Sequence, residues 1–178
     1  GMRRFAGRLR ELVGDDYTLV TNGNNTLYDL CDGSTREDFP NMHGDWYVNI
    51  TNETYGYTAI EEKYRRPPLN IINSIWYGDA GPNGAEGNPV YERQVRYALA
   101  STLVYGNGYF SLDGLAGGEH SQTWWHPLYD VDLGQPVGRA EPVTASPGAF
   151  AALVNGEFIR QRRFTGGIAI VNPTKISH

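Results

Sequence analysis

The sequence contains one cysteine, no long hydrophobic run and no concentration of positive charge, and each absence excludes a class of protein. Because Cys31 has no second cysteine to pair with, the chain is not a small disulfide-bonded secreted domain. No segment approaches the roughly 20 apolar residues that span a bilayer, so no membrane partner is predicted. The net charge of −5 predicts no nucleic acid partner, since such proteins usually concentrate Lys and Arg on one face. None of these features indicates a cellular compartment.

Motifs for nucleophilic and metal-dependent catalysis are also missing. There is no G-x-S-x-G nucleophile elbow, and no two histidines have the i, i+4 spacing of a helical zinc site. The glycine-rich segment at residues 81–87 does not match a phosphate-binding fingerprint. The sequence therefore predicts no cofactor and no metal. The loop that carries Glu119 and His120 is the place where a metal would first be sought.

Aromatic residues are prominent: 12 Tyr, 6 Phe and 4 Trp make up 12% of the chain. Flat aromatic faces can stack on the C–H faces of sugars, but aromatic side chains also fill ordinary protein cores. Both interpretations stay open for the four candidate sugar-binding aromatics, which are Trp76, Trp124, Trp125 and Tyr129.

Helical and strand patterns alternate from residue 2 to residue 113. Helices are predicted at 2–13, 46–64 and 90–104, and strands at 17–21, in a segment ending near Glu37, at 69–76 and at 109–112. This alternation predicts parallel strands joined by right-handed crossovers, which is an α/β fold. Four such strands are half of the eight that a closed (β/α)8 barrel requires.

Two regions follow from this pattern. Residues 1–115 are predicted to form a partial (β/α)8 barrel of about four βα units, and residues 116–178 a C-terminal capping extension. Within the extension a β-hairpin is expected, with arms at 157–164 and 167–171. A half-barrel would expose its inner face and two sheet edges, so we expect a homo-oligomer or association with a missing N-terminal half. An open sheet is the remaining alternative.

Polar residues stand at the ends of several predicted strands, where ligands of parallel α/β folds bind. Glu37 and Asp113 are the candidate catalytic carboxylates, because glycoside hydrolysis uses two carboxyl groups about 5 to 9.5 Å apart. The candidate substrate-binding polar residues are Asn22, Asp32 and Asn73. A structural role also fits each of these positions, since Asp-Gly pairs form ordinary turns and Asn side chains cap loop ends.

Five segments give the chain a distinctive order of motifs: DG…EDF at 32–39, PPLNIINS at 67–74, GYFSLDG at 108–114, WWHPLYDVDLGQPVG at 124–138 and RRFTGGIAIVNPT at 162–174. Together they resemble the C-terminal half of a glycoside-hydrolase-like family of (β/α)8 barrels. The resemblance implies hydrolysis of O-glycosidic bonds in an oligo- or polysaccharide, with carbohydrate as the partner. It puts Glu37 and Asp113 at the ends of what would be the sixth and eighth strands. It also implies a catalytic acid on a fourth strand, which the predicted elements do not include.

A second function fits the same residues. The chain is then a non-catalytic carbohydrate-binding or structural fragment of a glycosidase-like barrel, which keeps an aromatic rim but lacks the rest of the site. In either case the DVDLGQP segment, with Asp130 and Asp132, is interpreted as a wall at the mouth of the barrel and not as the place of bond cleavage.

Overall fold

The computed structural model describes residues 1–23, 26–40, 45–76, 88–116, 119–122, 125–143 and 159–173. The chain divides into two compact units, one formed by Gly1–Trp76 with Asn107–Asp113 and the other by Tyr77–Gly106 with Gly114–His178. No helix in the described ranges combines the length and apolar character that crossing a membrane requires.

The elements alternate through the first part of the chain as expected. In chain order they are α1 (Met2–Val13), β1 (Val20–Asn22), β2 (Gly33–Arg36), α2 (Trp46–Thr51), α3 (Tyr57–Glu61), β3 (Ile71–Trp76), α4 (Pro89–Tyr105), β4 (Tyr109–Ala116), β5 (Glu119–Gln122), a 3-10 helix (Pro127–Asp130), β6 (Pro136–Pro142), β7 (Arg160–Phe164) and β8 (Ile168–Val171).

Two sheets are present. Strands β1 to β4 form a parallel sheet in chain order, and β5 pairs antiparallel with the end of β4. Strands β6, β7 and β8 form a separate antiparallel sheet. The prediction of an α/β fold with parallel strands is confirmed. In the described part of the chain the parallel sheet is open and closes no barrel.

Helix α1 is confirmed at its predicted bounds, but two of its large apolar side chains do not face the protein. Phe5 and Leu12 are exposed, and the buried residue is Ala6. Ala6 belongs to an apolar cluster with Leu27, Cys31, Ile60 and Tyr64. Four residues after Ala6, Arg10 turns toward the protein and donates to Asp32, so polar contacts and not the larger apolar side chains set the orientation of this helix.

The long helix predicted at 46–64 is wrong, because the structure has two short helices there, α2 and α3. Asn52 interrupts the pattern with an extended backbone, and its side-chain oxygen accepts from the N–H groups of Thr54 and Tyr55. This is an Asx turn, which competes with helix formation. Gly56 then packs against the Asn52 backbone so closely that a Cβ would overlap it. The spacing of apolar residues runs on past Asn52 and therefore predicted one helix, although the Asx turn ends α2 at this point.

Strand β4 is longer than predicted and continues to Ala116 instead of ending at Asp113. Its last residues pair with β5, a strand that the glycine-rich composition of this segment had concealed. The predicted hairpin near the C-terminus is confirmed as β7 and β8, but it has a third partner, β6, that was not predicted. Proline at both ends of β6 and glycine within it mask a strand in the sequence.

Candidate functional site

One face of the parallel sheet carries most of the polar strand residues predicted for the site. Asn22 lies beside Thr35 on the neighbouring strand, and Thr35 lies beside Ile71. Partner residues in a ladder point to the same side, and side chains alternate along each strand. Asn73, two residues after Ile71, therefore shares the face of Asn22 and Thr35.

Asp113 lies on the same face. The N–H of Tyr109 donates to the carbonyl of Asn70 at 2.8 Å, which in a parallel ladder puts Tyr109 beside Ile71. Side chains alternate along a strand, so Asp113, four residues after Tyr109 on β4, points to the same face as Tyr109. The sheet surface formed by Asn22, Thr35, Asn73 and Asp113 is called the polar face below.

Within the polar face, burial is uneven. Asp113 is only 9% exposed, whereas Asn22 on the outer strand is exposed. The Oδ1 atom of Asn73 is buried and has no hydrogen-bond donor among the described residues. A buried acceptor without a donor costs free energy, and a ligand hydroxyl can supply the missing hydrogen bond. The face therefore combines a buried carboxyl with an acceptor suited to a hydroxylated ligand.

Glu37 follows β2 directly, in a turn at the carboxyl end of the sheet. The turn is fixed to the neighbouring strand, because the N–H of Phe39 donates to the carbonyl of Asn73 at 3.1 Å. The buried Phe39 ring packs edge-on against Tyr57, with 5.6 Å between ring centroids. Asp38, at φ 53°, adopts the left-handed conformation that Asp tolerates better than most residues. The turn thus joins the segment that carries the exposed Glu37 to β3 at Asn73.

Asp32 is not brought together with the other candidates, because it lies at the amino end of β2. Its Oδ2 atom accepts from Arg10 Nη2 at 2.5 Å and from the N–H of Leu19 at 2.7 Å. Its Oδ1 atom lies 3.9 Å from Arg65 Nε. These contacts join α1, the start of the sheet and the segment before β3, which is a structural arrangement. None of the contacts that Asp32 makes with described residues gives it a part in ligand binding.

The opposite face of the sheet holds a buried polar network that sequence reasoning missed. Glu61, 5% exposed, accepts from Tyr57 Oη at 2.6 Å and from the backbone and side-chain N–H groups of Asn107 at 3.0 Å each. Burial, followed by the nearby charge of Glu61, raises the pKa of Tyr57 well above its ordinary value. The network fixes the residues just before β4 and so helps to position the strand that carries Asp113. A Glu three residues before a predicted helix end gave no sign of this role.

Arg36 is also buried on that opposite face, beside tyrosines. Its neighbour across the ladder is Ile72, and its Nη2 atom donates to the carbonyl of Tyr55 at 3.3 Å. Burial lowers the pKa of Arg36, while Tyr64 and Tyr57 act in the opposite direction. Its side chain points away from the polar face, so it supports the sheet from behind.

Two of the predicted sugar-binding aromatics come together in the second unit. Trp125 is 69% exposed, and its ring meets that of Tyr129 edge-on with 5.2 Å between centroids. The indole Nε1–H of Trp125 donates to both carboxylate oxygens of Asp130 at 3.1 Å. These contacts fix an exposed aromatic ring in one orientation. Trp124 and the side chain of Trp76 lie outside the described residues.

A buried histidine next to Trp125 was not predicted as a functional residue. His126 Nδ1 accepts from the N–H of Leu128, which leaves the proton of the neutral ring on Nε2. Nε2 lies 3.3 Å from Glu92 Oε1, and Glu92 Oε2 accepts from Arg96 Nη2 at 3.1 Å. The sequence signal was the His-Pro pair, which is typical of a cap before a proline at the first helical position. No feature of the sequence indicated that His126 pairs with Glu92.

The DVDLGQP and RRFTGG segments lock together within the second unit. The N–H of Gln135 donates to Thr165 Oγ1 at 3.0 Å, and the N–H of Thr165 donates back to the carbonyl of Gln135 at 2.9 Å. The N–H of Gly166 donates to the carbonyl of Leu133 at 2.9 Å. Gly134, at φ 72°, lies against Thr165 so tightly that a Cβ would overlap Oγ1. We name this arrangement, formed by residues 132–135 and 165–166, the clasp.

Arg162 extends this structural role to α4. Its Nη1 atom donates to the carbonyls of Leu103 and Gly106, at 3.4 and 3.0 Å, and its Nε atom donates to that of Gly138 at 3.2 Å. A guanidinium at the carboxyl end of a helix satisfies free carbonyls and complements the helix dipole. The most distinctive sequence segments therefore stabilise the second unit.

In the described ranges, no three His, Cys, Asp or Glu side chains are close enough together to bind a metal. The side chains of Glu119 and His120 lie outside those ranges. A parallel α/β sheet with an acidic turn at its carboxyl end, and with carboxyl and amide groups along one face, belongs to the class of folds that bind polar ligands at strand ends.

Comparison with known proteins assigns the chain to a family. The family model described as hypothetical glycosyl hydrolase family 15 matches residues 1–167. The chain therefore belongs to this glycosyl-hydrolase-like family. No curated protein sequence matches it.

Proposed function

We propose that this protein hydrolyses O-glycosidic bonds of an oligo- or polysaccharide on a (β/α)8-like sheet, with Glu37 and Asp113 as its carboxylates. The observation that carries the proposal is the arrangement in the first unit. Asp113 is buried on the polar face, and Glu37 stands in a turn bonded to β3 at Asn73. Membership of a glycosyl-hydrolase-like family supports the same chemistry.

The direction of the polar face supports the barrel part of the proposal. A Cβ at Gly108 would contact both Ile72 Cγ1 and Tyr57 Oη, so Ile72 faces helix α3. Side chains alternate, and the polar face is therefore turned away from α3. In a (β/α)8 barrel the helices lie outside and the opposite side of each strand faces the interior. Completion of such a barrel by a second copy or by another half-barrel is part of the proposal, and a compact stable monomer in light scattering would contradict it.

The roles of the two carboxylates follow from their surroundings. Glu37 is exposed at the carboxyl end of the sheet, where it can protonate a leaving-group oxygen and later accept a proton from water. If Glu37 takes both of these roles, Asp113 is the nucleophile; if Asp113 is instead the base that activates water, Glu37 acts only as the acid. Asn22 and Asn73 bind sugar hydroxyls, with Asn73 Oδ1 accepting a hydrogen bond that no described residue supplies.

Substitution of each carboxylate tests this proposal. We expect Glu37→Gln and Asp113→Asn to lower kcat on a susceptible glycan by about 100-fold or more, the usual effect of losing an acid/base group. The matched control is Glu53→Gln, which alters an exposed carboxylate with no hydrogen bond or ion pair among the described residues. Unchanged circular dichroism separates lost chemistry from lost folding. Equal turnover by all three variants and the unmodified protein would refute the assignment.

A non-catalytic carbohydrate-binding function is the second candidate, and Trp125 favours it. Its exposed ring is held by Asp130 and Tyr129, so a sugar could stack on it with little loss of side-chain entropy. Under this alternative a glycan binds without being cleaved. Trp125→Ala then weakens binding, and Glu37→Gln leaves binding unchanged.

A further inference from the structure

A surface cleft lies between helix α4 and the end of strand β8 in the second unit. Its volume is about 600 Å³, and its walls include Glu92, Arg93, Arg96 and Tyr97 from the helix, Ile170 from the strand and Asn172 just after it. This volume is within the range of about 300 to 1,000 Å³ that is typical of small-molecule sites. None of these residues belongs to the polar face, so the cleft is a separate candidate site.

The charges of the cleft are not balanced. Glu92 is already engaged, because its Oε2 atom accepts from Arg96 and its Oε1 atom faces the Nε2–H of the buried His126. Arg93 is exposed, and its guanidinium has no hydrogen bond or ion pair among the described residues. The cleft therefore presents an unneutralised guanidinium on a protein whose net charge is −5. A planar guanidinium with free N–H groups is well suited to bind a carboxylate or a sulfate.

The carboxylate of Glu92 is also held in place. His126 is 5% exposed, and its tautomer is set by the bond from the Leu128 N–H to Nδ1. With Nε2–H directed at Oε1 and Arg96 bound to Oε2, the Glu92 side chain is fixed from both sides. Arg96 is in turn fixed beside the open cleft by an i, i+4 pair. Little ordering of Glu92 is then required when a ligand binds, which favours affinity.

The remaining walls are suited to a sugar ring. Tyr97 offers an aromatic surface, Ile170 an aliphatic one, and Asn172 an amide that can both donate and accept. Apolar surfaces combined with a few fixed polar groups are typical of sites that bind a ring with hydroxyl groups. We propose that this cleft binds an anionic sugar unit, one that carries a carboxylate or a sulfate ester. The saccharide part of this inference rests on the proposed function, and the anionic part rests on Arg93.

Isothermal titration calorimetry tests the proposal on the full chain, in the Glu37→Gln background so that no substrate is consumed. The probes are a uronate oligosaccharide, a sulfated oligosaccharide and a neutral oligosaccharide of equal length. We expect one of the two anionic probes to bind at least about tenfold more tightly than the neutral one, and that probe identifies the anionic group. Arg93→Gln should weaken its binding by about tenfold, as for the loss of one charge-assisted hydrogen bond.

Arg139→Gln is the matched control, since Arg139 is exposed on β6 and its guanidinium has no hydrogen bond or ion pair in the described part of the chain. It should bind the preferred probe with unchanged affinity. Equal affinity for anionic and neutral probes, equal loss in both variants, or no binding of either anionic probe would overturn the proposal. Acetate or sulfate binding as tightly as the sugars would overturn its saccharide part. Because binding is measured without turnover, a chain that proves unable to cleave glycans leaves this result unaffected.

Discussion

The two units of this protein are stabilised by different kinds of contact. In the first unit, an apolar cluster around Cys31 and Ile60 adjoins a buried side-chain network centred on Glu61. In the second unit, the clasp connects one turn to another mainly through backbone N–H and carbonyl groups. The first arrangement depends on particular side chains, whereas the second depends on backbone conformations that only certain residues permit.

This difference separates family resemblance from chemistry. The most distinctive segments, DLGQP and RRFTGG, form the clasp and cap α4 through Arg162. The candidate carboxylates, Glu37 and Asp113, belong to the first unit and stand in commonplace sequence contexts. A motif can therefore identify a family because it preserves a turn, while the residues proposed for catalysis carry little local signal.

The largest effect is expected from breaking the side-chain network of the first unit. Glu61→Ala removes the acceptor of three hydrogen bonds, from Tyr57 and twice from Asn107. Each buried donor that loses its acceptor costs about 1 to 3 kcal/mol, so we expect a total loss of about 3 to 5 kcal/mol in the free energy of unfolding. Urea denaturation followed by circular dichroism measures it.

The adjacent residue supplies the control. The Glu62 side chain is exposed and has no hydrogen bond or ion pair among the described residues, so Glu62→Ala should change the unfolding free energy by less than about 0.5 kcal/mol. If the two variants were equally stable, the buried network would not be what stabilises the first unit.

A smaller effect is expected from breaking the clasp, through a pair of glycines with the same backbone conformation. Gly134 and Gly138 have φ angles of 72° and 78°, but only at Gly134 would an added Cβ overlap another atom, Thr165 Oγ1. Gly138→Ala should cost about 1 kcal/mol from left-handed backbone strain alone. Gly134→Ala should cost about 3 kcal/mol, since steric overlap adds to that strain. Equal urea midpoints for the two variants would mean that the clasp opens without cost.

The bounds of several elements were predictable from the chain pattern alone. Helix α1 has the bounds that apolar spacing predicts, and β7 and β8 form the expected hairpin. Prediction failed where polar side chains overrode the pattern. Asn52 breaks the helix predicted at 46–64 by accepting from nearby backbone N–H groups, and this contact is invisible to a count of apolar positions.

The candidate site was predictable only in part, for a geometric reason. Strand-end reasoning gave Asn73 and Asp113, and the sheet register puts both on one face. The same list included Asp32 at the start of the second predicted strand, and the structure has it there, at the amino end of β2 and paired with Arg10. Glu92 and His126 are 34 residues apart in sequence, and nothing local indicates that a hydrogen bond joins them.

The smallest perturbation, labelling of a single thiol, gives the sharpest test of how the first unit is held. Burial raises the pKa of Cys31, and the side chain is 2% exposed. Because the thiolate is the reactive form and a raised pKa lowers its fraction, iodoacetamide should label the folded protein at least about tenfold more slowly than the unfolded chain. Labelling should also begin at higher pH than for a free cysteine.

If labelling proceeds through opening of the first unit, Glu61→Ala should accelerate it about tenfold for each 1.4 kcal/mol of lost stability, and Glu62→Ala should leave it unchanged. Rapid labelling of the unmodified folded protein would contradict a closed apolar cluster around Cys31.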